Sequence, residues 1–239
     1  MWDQRGAGKT DDKHGRSIAD SISIQRMVAD GLELSAYLHE RLRKNKIVIL
    51  GHSWGSILGV HMARERPELF SAYVGIGQFV NVKRSMLFSY PELVKRAEKH
   101  NRTQTLLGLR AMGPPPYERP ENYRILIGVA NALDPPVPQL NEAQGLASGA
   151  AAGQDKGFIE DLLFPEIFEQ DLAASARAFQ IPIVFIEGAE DLVTPDAKSY
   201  FDRIDAPSRE FVTIPGNGHF AIFRAPGKVL EHLVEYLGT

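Results

Sequence analysis

Gly51-His52-Ser53-Trp54-Gly55 places a hydroxyl on a tight turn, with a glycine two positions to either side. The apolar, β-branched run Lys46-Ile47-Val48-Ile49-Leu50 precedes it and predicts a strand covered on both faces. Residues 57–66 read as a helix that stops before Pro67. Strand, sharp turn and helix are the setting in which a G-x-S-x-G serine becomes an exposed nucleophile. The flanking glycines let strand and helix approach closely, and the helix N-terminus behind Ser53 favours negative charge developing on a bound carbonyl oxygen.

A serine hydroxyl needs a base, and the chain has seven histidines. His39, His61 and His232 fall on predicted helices as surface or packing residues, His14 in a polar loop and His100 in a central helical region. His52 adjoins Ser53, with a side chain expected to point away from the serine, and is a candidate substrate contact. His219 follows the apolar stretch Phe211-Val212-Thr213-Ile214 in the loop Pro215-Gly216-Asn217-Gly218-His219. Loops at the carboxyl ends of strands collect catalytic groups in open α/β sheets, so His219 is the expected base. The loop Glu187-Gly188-Ala189-Glu190-Asp191 supplies the acid that would hold the imidazole. Asp191 is the expected member, with Glu187 and Glu190 as alternatives. The chain order Ser, Asp, His is that of the α/β-hydrolases and differs from the chymotrypsin and subtilisin orders.

The elements that must position these residues form two blocks. Ile24, Met27, Val28, Leu32, Leu38 and Leu42 have helical spacing with one buried stripe. The strand 46–50, the helix 57–66 and the strand 71–77 make a βαβ unit, hence a parallel sheet. The alternation returns with strand 182–187, helix 195–203, strand 210–214 and helix 228–237. Residues 1–79 and 179–239 are therefore expected to form the α/β core. Residues 80–178 show no strand pattern and are broken at Gly113-Pro114-Pro115-Pro116, at Pro135-Pro136-Val137-Pro138 and across 147–153. They are expected to form an inserted helical cap. Phe79, Tyr90 and Phe158, with Phe88, Phe164 and Phe168, are its candidate pocket wall.

Several classes are disfavoured. A net charge of −3 without a basic run leaves little to neutralise phosphates or an acidic membrane surface. Without cysteine there is no thiolate nucleophile or thiolate metal site, and no histidine pair sits at ligand spacing with a carboxylate. Neither metal nor cofactor is expected, and a cytoplasmic location is.

Asp3-Gln4-Arg5-Gly6-Ala7-Gly8-Lys9-Thr10, Gly51-His52-Ser53-Trp54-Gly55-Ser56, Gly188-Ala189-Glu190-Asp191 and Gly216-Asn217-Gly218-His219 together resemble the proline iminopeptidase branch of the α/β-hydrolases. The resemblance implies Ser53 as nucleophile, Asp191 as acid, His219 as base and the Trp54 main-chain N–H as an oxyanion-hole donor. Relatives of that branch carry strands ahead of the D-Q-R-G segment and an H-G-G-x-G-type loop, neither of which is seen in this sequence. A shortened sheet is therefore expected, with an edge open to association with a second copy and Gly6 or Gly8 as substitute donors. The cap also lacks the branch's tryptophan-rich, glutamate-containing motif, since Trp2 and Trp54 are the chain's two tryptophans. Glu118, Glu121, Glu142 and Glu160 are the cap carboxylates that could bind an amine. An esterase-type acyl hydrolase is thus expected first, a proline-iminopeptidase-like aminopeptidase second, and a weakly active or inactive binding protein third. Substrates would be small esters or short peptides.

Overall fold

Four parallel strands, β1 (Ile47–His52), β2 (Phe70–Ile76), β3 (Ile183–Gly188) and β4 (Arg209–Ile214), form one sheet in the order β1-β2-β3-β4. The computed structural model describes residues 2–133 and 157–238. Each parallel neighbour requires a crossover, and the helix α3 (Trp54–Glu65) supplies the one from β1 to β2.

The strands alternate, apart from a register irregularity at Phe70, where β2 begins. Tyr73, Ile183 and Phe185 face a large core with Ile57, Leu58 and Met62 of α3 and Met27, Val28 and Leu32 of α2 (Ile24–Leu42). Val74, Ile76, Val184, Ile186, Val212 and Ile214 face the other way, beneath Ala221 of α10 (Ala221–Arg224) and Val229 of α11 (Pro226–Leu237). Helix α11 packs on β4, at the far side of the sheet from β1. Its cover does not reach β1, where Val48 and Leu50 remain 40% and 42% exposed. The expectation that β1 is buried on both faces is therefore corrected: among the described residues it is an edge strand with one covered face.

Helix α2 begins at Ser23, whose side chain accepts from the Arg26 N–H. Its buried stripe runs only as far as Ser35, and Leu42 lies exposed. Upstream, the segment read as a polar loop around His14 is helix α1 (Gly8–His14) followed by a 3₁₀ turn. It has no apolar periodicity to betray it. It is held instead by Asp3, whose carboxylate accepts the Lys9 N–H and whose carbonyl accepts the Thr10 hydroxyl.

Between β2 and β3 the described elements are helical: α4 (Val82–Lys99), α5 (Thr103–Met112), α6 (Pro120–Leu133), α7 (Gly157–Glu169) and α8 (Leu172–Ser175). Gly113–Pro116 separates α5 from α6, whereas the breaks at 135–138 and 147–153 lie outside the described residues. Met86, Leu93, Leu109, Leu126, Leu163 and Phe168 close the interior of this layer. It is tied to the α/β layer where Glu166 accepts the N–H of Ile24, opening α2, and where His61 of α3 meets Gln170. The helix α9 (Ala197–Phe201) leads from β3 towards β4.

Candidate active site

Ser53 follows β1 directly and takes φ +54°, a left-handed conformation that a non-glycine residue adopts only when its surroundings enforce it. Two bonds enforce it here: the Ser53 N–H donates to Ile76 at the end of β2, and the Ser56 hydroxyl donates to the Ser53 carbonyl. Ser56 also accepts the N–H of Phe79, so the turn is pinned to the segment after β2. Gly51 has no tolerance for a side chain, because a Cβ there would sit 2.6 Å from the Gly55 carbonyl oxygen. Trp54 is the first residue of α3, so its N–H has no partner carbonyl within the helix.

His219 is brought to this turn from 166 residues away. Its Nε2 lies 2.8 Å from Ser53 Oγ, and its Nδ1 lies 2.9 Å from Asp191 Oδ2. A carboxylate only accepts, so Nδ1 carries the hydrogen and Nε2 is left to receive the serine proton. The middle and the acid end of this chain are shielded, the side chains of His219 and Asp191 being 3% and 4% exposed, whereas Ser53 is half-buried.

Asp191 is the most heavily bonded member. One oxygen accepts the N–H groups of Val193 (2.6 Å) and Thr194 (3.1 Å), and the other accepts the Thr194 hydroxyl (2.7 Å) along with His219. Burial pushes its pKa up, but His219 and these donors outweigh that and hold the carboxyl below its ordinary value. The two other carboxylates of the loop behave differently. Glu190 pairs at 3.5 Å with Arg96 on α4. Glu187 is buried, accepts the Gln78 N–H, and is pushed well above its ordinary value by burial and then by Asp191. The structure thus brings Asp191, and neither glutamate, to His219. The signal that separates them is Asp191's place two and three residues ahead of the N–H groups that cap it.

The remaining candidates are more scattered. Phe79 stands edge-on to the His219 ring, at 6.1 Å between centroids. His52 turns its Nε2 to the main-chain carbonyl of His219 at 3.0 Å. Tyr90 donates its hydroxyl to Leu109 of α5, which makes it a tie within the helical layer. Phe88 is 57% exposed, and Phe164 and Phe168 stack on each other beside Tyr123, so these three pack or face solvent rather than wall a pocket at Ser53. The side chain of Phe158 lies outside the described residues. Sequence reading missed Gln4, whose side-chain oxygen accepts the Trp54 indole N–H at 3.1 Å and draws the Asp3-Gln4-Arg5-Gly6 segment to the elbow. It also missed Thr194, a buried hydroxyl with no motif to mark it.

A parallel sheet carrying a strained Ser, a buried His and a buried Asp beyond the carboxyl ends of its strands defines a hydrolase-type α/β protein. Residues 1–226 match the family described as alpha/beta hydrolase fold, and the chain belongs to that family. It is similar to a Bacillus subtilis (strain 168) protein named "Probable aminopeptidase YbaC", at 26% identity over 91% of this chain and 73% of that protein. Among solved structures, a proline iminopeptidase-related protein from Thermus thermophilus superposes with a TM-score of 0.61 at 19% identity, over 92% of this chain and 72% of that one. An esterase from Exiguobacterium antarcticum gives 0.60 at 16% identity, over 99% and 80%. Among the described residues, no helix is long and apolar enough to cross a membrane.

Proposed function

We propose that this protein is a serine acyl hydrolase of carboxylesterase type, working through an acyl-enzyme on Ser53. The observation that carries this reading is the continuous chain Ser53 Oγ–His219 Nε2 at 2.8 Å and His219 Nδ1–Asp191 Oδ2 at 2.9 Å. Ser53 Oγ attacks the ester carbonyl carbon as its proton passes to Nε2, and Asp191 stabilises the imidazolium that forms. The oxyanion lies at the N-terminus of α3 against the Trp54 N–H. The Gln4–Trp54 bond brings the segment that contains Gly6, a candidate second donor, to the elbow. The tetrahedral adduct collapses, the leaving alkoxide takes the proton back from Nε2, and water repeats the sequence to release the acid.

A fluorophosphonate probe tests the chemistry directly. Stoichiometric labelling of the wild type and none of Ser53→Ala are expected. An unlabelled, folded wild type would instead mark a binding protein without hydrolytic chemistry.

The second reading is an aminopeptidase resembling proline iminopeptidases, favoured by the named aminopeptidase that aligns over most of the chain. Hydrolysis of p-nitrophenyl acetate with no turnover of proline p-nitroanilide supports the esterase. The reverse supports the peptidase. In either case the substrate is a small ester or short peptide, and the cytoplasm remains the proposed location.

A further inference from the structure

His219 sits at the end of a loop with two glycines, Pro215-Gly216-Asn217-Gly218, and something must keep its main chain in register. Hydrogen bonds hold the neighbours: the Asn217 carbonyl accepts the Glu190 N–H, the Gly218 carbonyl accepts the Ala221 N–H, and the Phe220 carbonyl accepts from Phe223 and Arg224. The carbonyl of His219 itself is taken by a side chain, the imidazole of His52, at 3.0 Å. We propose that His52 is a positioning residue for the base, its Nε2–H fixing the His219 main chain while the adjacent Ser53 meets the His219 ring. This rests on the serine hydrolase reading and adds to it a residue that no pattern match assigns to the mechanism.

The chemistry of the pair supports it. A carbonyl oxygen has no proton to give, so the bond requires the tautomer of His52 with hydrogen on Nε2. The ring lies between aromatic neighbours, 5.5 Å and edge-on to Phe223, and 5.9 Å from Phe220. Burial there, and then repulsion from His219, push its pKa down to about 4. An uncharged ring matters because the two imidazole centroids are only 5.3 Å apart. When His219 accepts the serine proton it becomes a cation, and a second cation at that distance would oppose the step. His52 is therefore suited to hold the base without competing with its charge.

The test uses three variants at one position. His52→Gln keeps an N–H donor near the place of Nε2. His52→Asn carries its amide too close to the main chain to reach, and His52→Leu fills the space without a donor. If the bond positions the base, Leu and Asn lose about ten- to a hundredfold in kcat on a short ester with KM little changed, as small misplacements of catalytic groups do. Gln recovers most of that loss. The low-field proton resonance of the Asp191–His219 bond is retained in Gln and broadened in Leu and Asn. Equal activity of all three variants, whether at the wild-type level or all equally impaired, overturns the proposal. Should Leu prove unstable to heat, the comparison of Gln with Asn still decides, since both are polar. Fluorophosphonate labelling of the wild type separates the two ideas: its absence would end the serine hydrolase reading, whereas labelling with unresponsive His52 variants would end only this one.

Discussion

The Thr194 hydroxyl lies 2.7 Å from Asp191 Oδ2 and 3.5 Å from Glu187 Oε2, so one small side chain stands between two buried carboxyl groups of opposite habit. His219 and its donors hold the Asp191 carboxyl below its ordinary pKa, whereas burial and then Asp191 itself push Glu187 well above its own. Negative charge is thus favoured on the acid that meets the imidazole and disfavoured on Glu187, four residues earlier.

Replacing Thr194 by Val removes one hydrogen bond to a buried carboxylate while conserving shape. Hydrogen bonds to charged groups contribute about 1.5–3 kcal/mol. A loss of about tenfold or more in kcat is expected, with KM little changed, measured on a p-nitrophenyl ester. Asp191→Asn is more severe, because an amide that presents its NH₂ to Nδ1 imposes the other tautomer on His219. A fall on the order of 10⁴-fold in kcat is expected there, and a variant within tenfold of wild type would remove Asp191 from the triad.

Glu187→Gln separates the acid's proton from its shape. In the folded chain Glu187 keeps its proton above the ordinary value of 4.5, whereas the unfolded chain releases it. The folded state then binds more protons, so this group costs stability increasingly as pH rises through and beyond the ordinary carboxylate range. The glutamine variant escapes that cost. Its melting temperature is expected to exceed the wild type's at pH 8 and to converge with it near pH 4. Asp191 has the opposite sign: its contribution is present above the ordinary range and is lost as pH falls through its depressed folded value. A glutamine variant no more stable at pH 8 would show that the Glu187 pKa is not raised by folding.

Gly188 sets how closely the acid-bearing and base-bearing loops approach. A Cβ there would stand 2.2 Å from the Gly218 carbonyl oxygen and 2.4 Å from that of Asn217, and main-chain atoms cannot swing aside. Gly188→Ala is expected to displace the loop that carries His219. Overpacking of this kind costs about 1–3 kcal/mol of stability, and a displacement near 1 Å costs about a hundredfold in rate. Thermal unfolding and ester hydrolysis on the same sample measure both.

Asp30 gathers the N-terminal segment. It accepts Arg5 through both oxygens and Arg26 as well, with Arg5 and Asp30 side chains only 24% and 27% exposed. Asp30→Ala removes a two-pronged pairing worth about 1–3 kcal/mol when partly buried. Earlier cleavage near residues 5–15 in limited proteolysis is expected, together with slower ester turnover as Gln4 loosens from Trp54.

Among the described residues one side of β1 is unpaired, the other pairing with β2, and we propose that a second copy associates there. Val48 presents an apolar surface beside that edge. Val48→Lys is expected to shift sedimentation at high concentration towards smaller species without changing the rate per chain. Identical sedimentation of the two proteins would show that the edge is not used.

By itself the sequence determined the α/β character and the identity of the hydroxyl and imidazole. Strand periodicity, a glycine-flanked serine between strand and helix, and a histidine just past an apolar strand are local signals, because backbone sterics and alternating burial act over a few residues. It left three carboxylates open in one loop, and it marked Phe88, Tyr90, Phe164 and Phe168 as pocket residues. Only the tertiary structure chose Asp191, since that choice depends on which oxygen meets an imidazole arriving from the next strand and which carboxyl is buried without a cation. Only the fold could turn His52 from a neighbour of the serine into a partner of His219, or show Val48 and Leu50 on an open face. Those facts depend on groups far apart in the chain, and local pattern carries no information about what packing will place beside them.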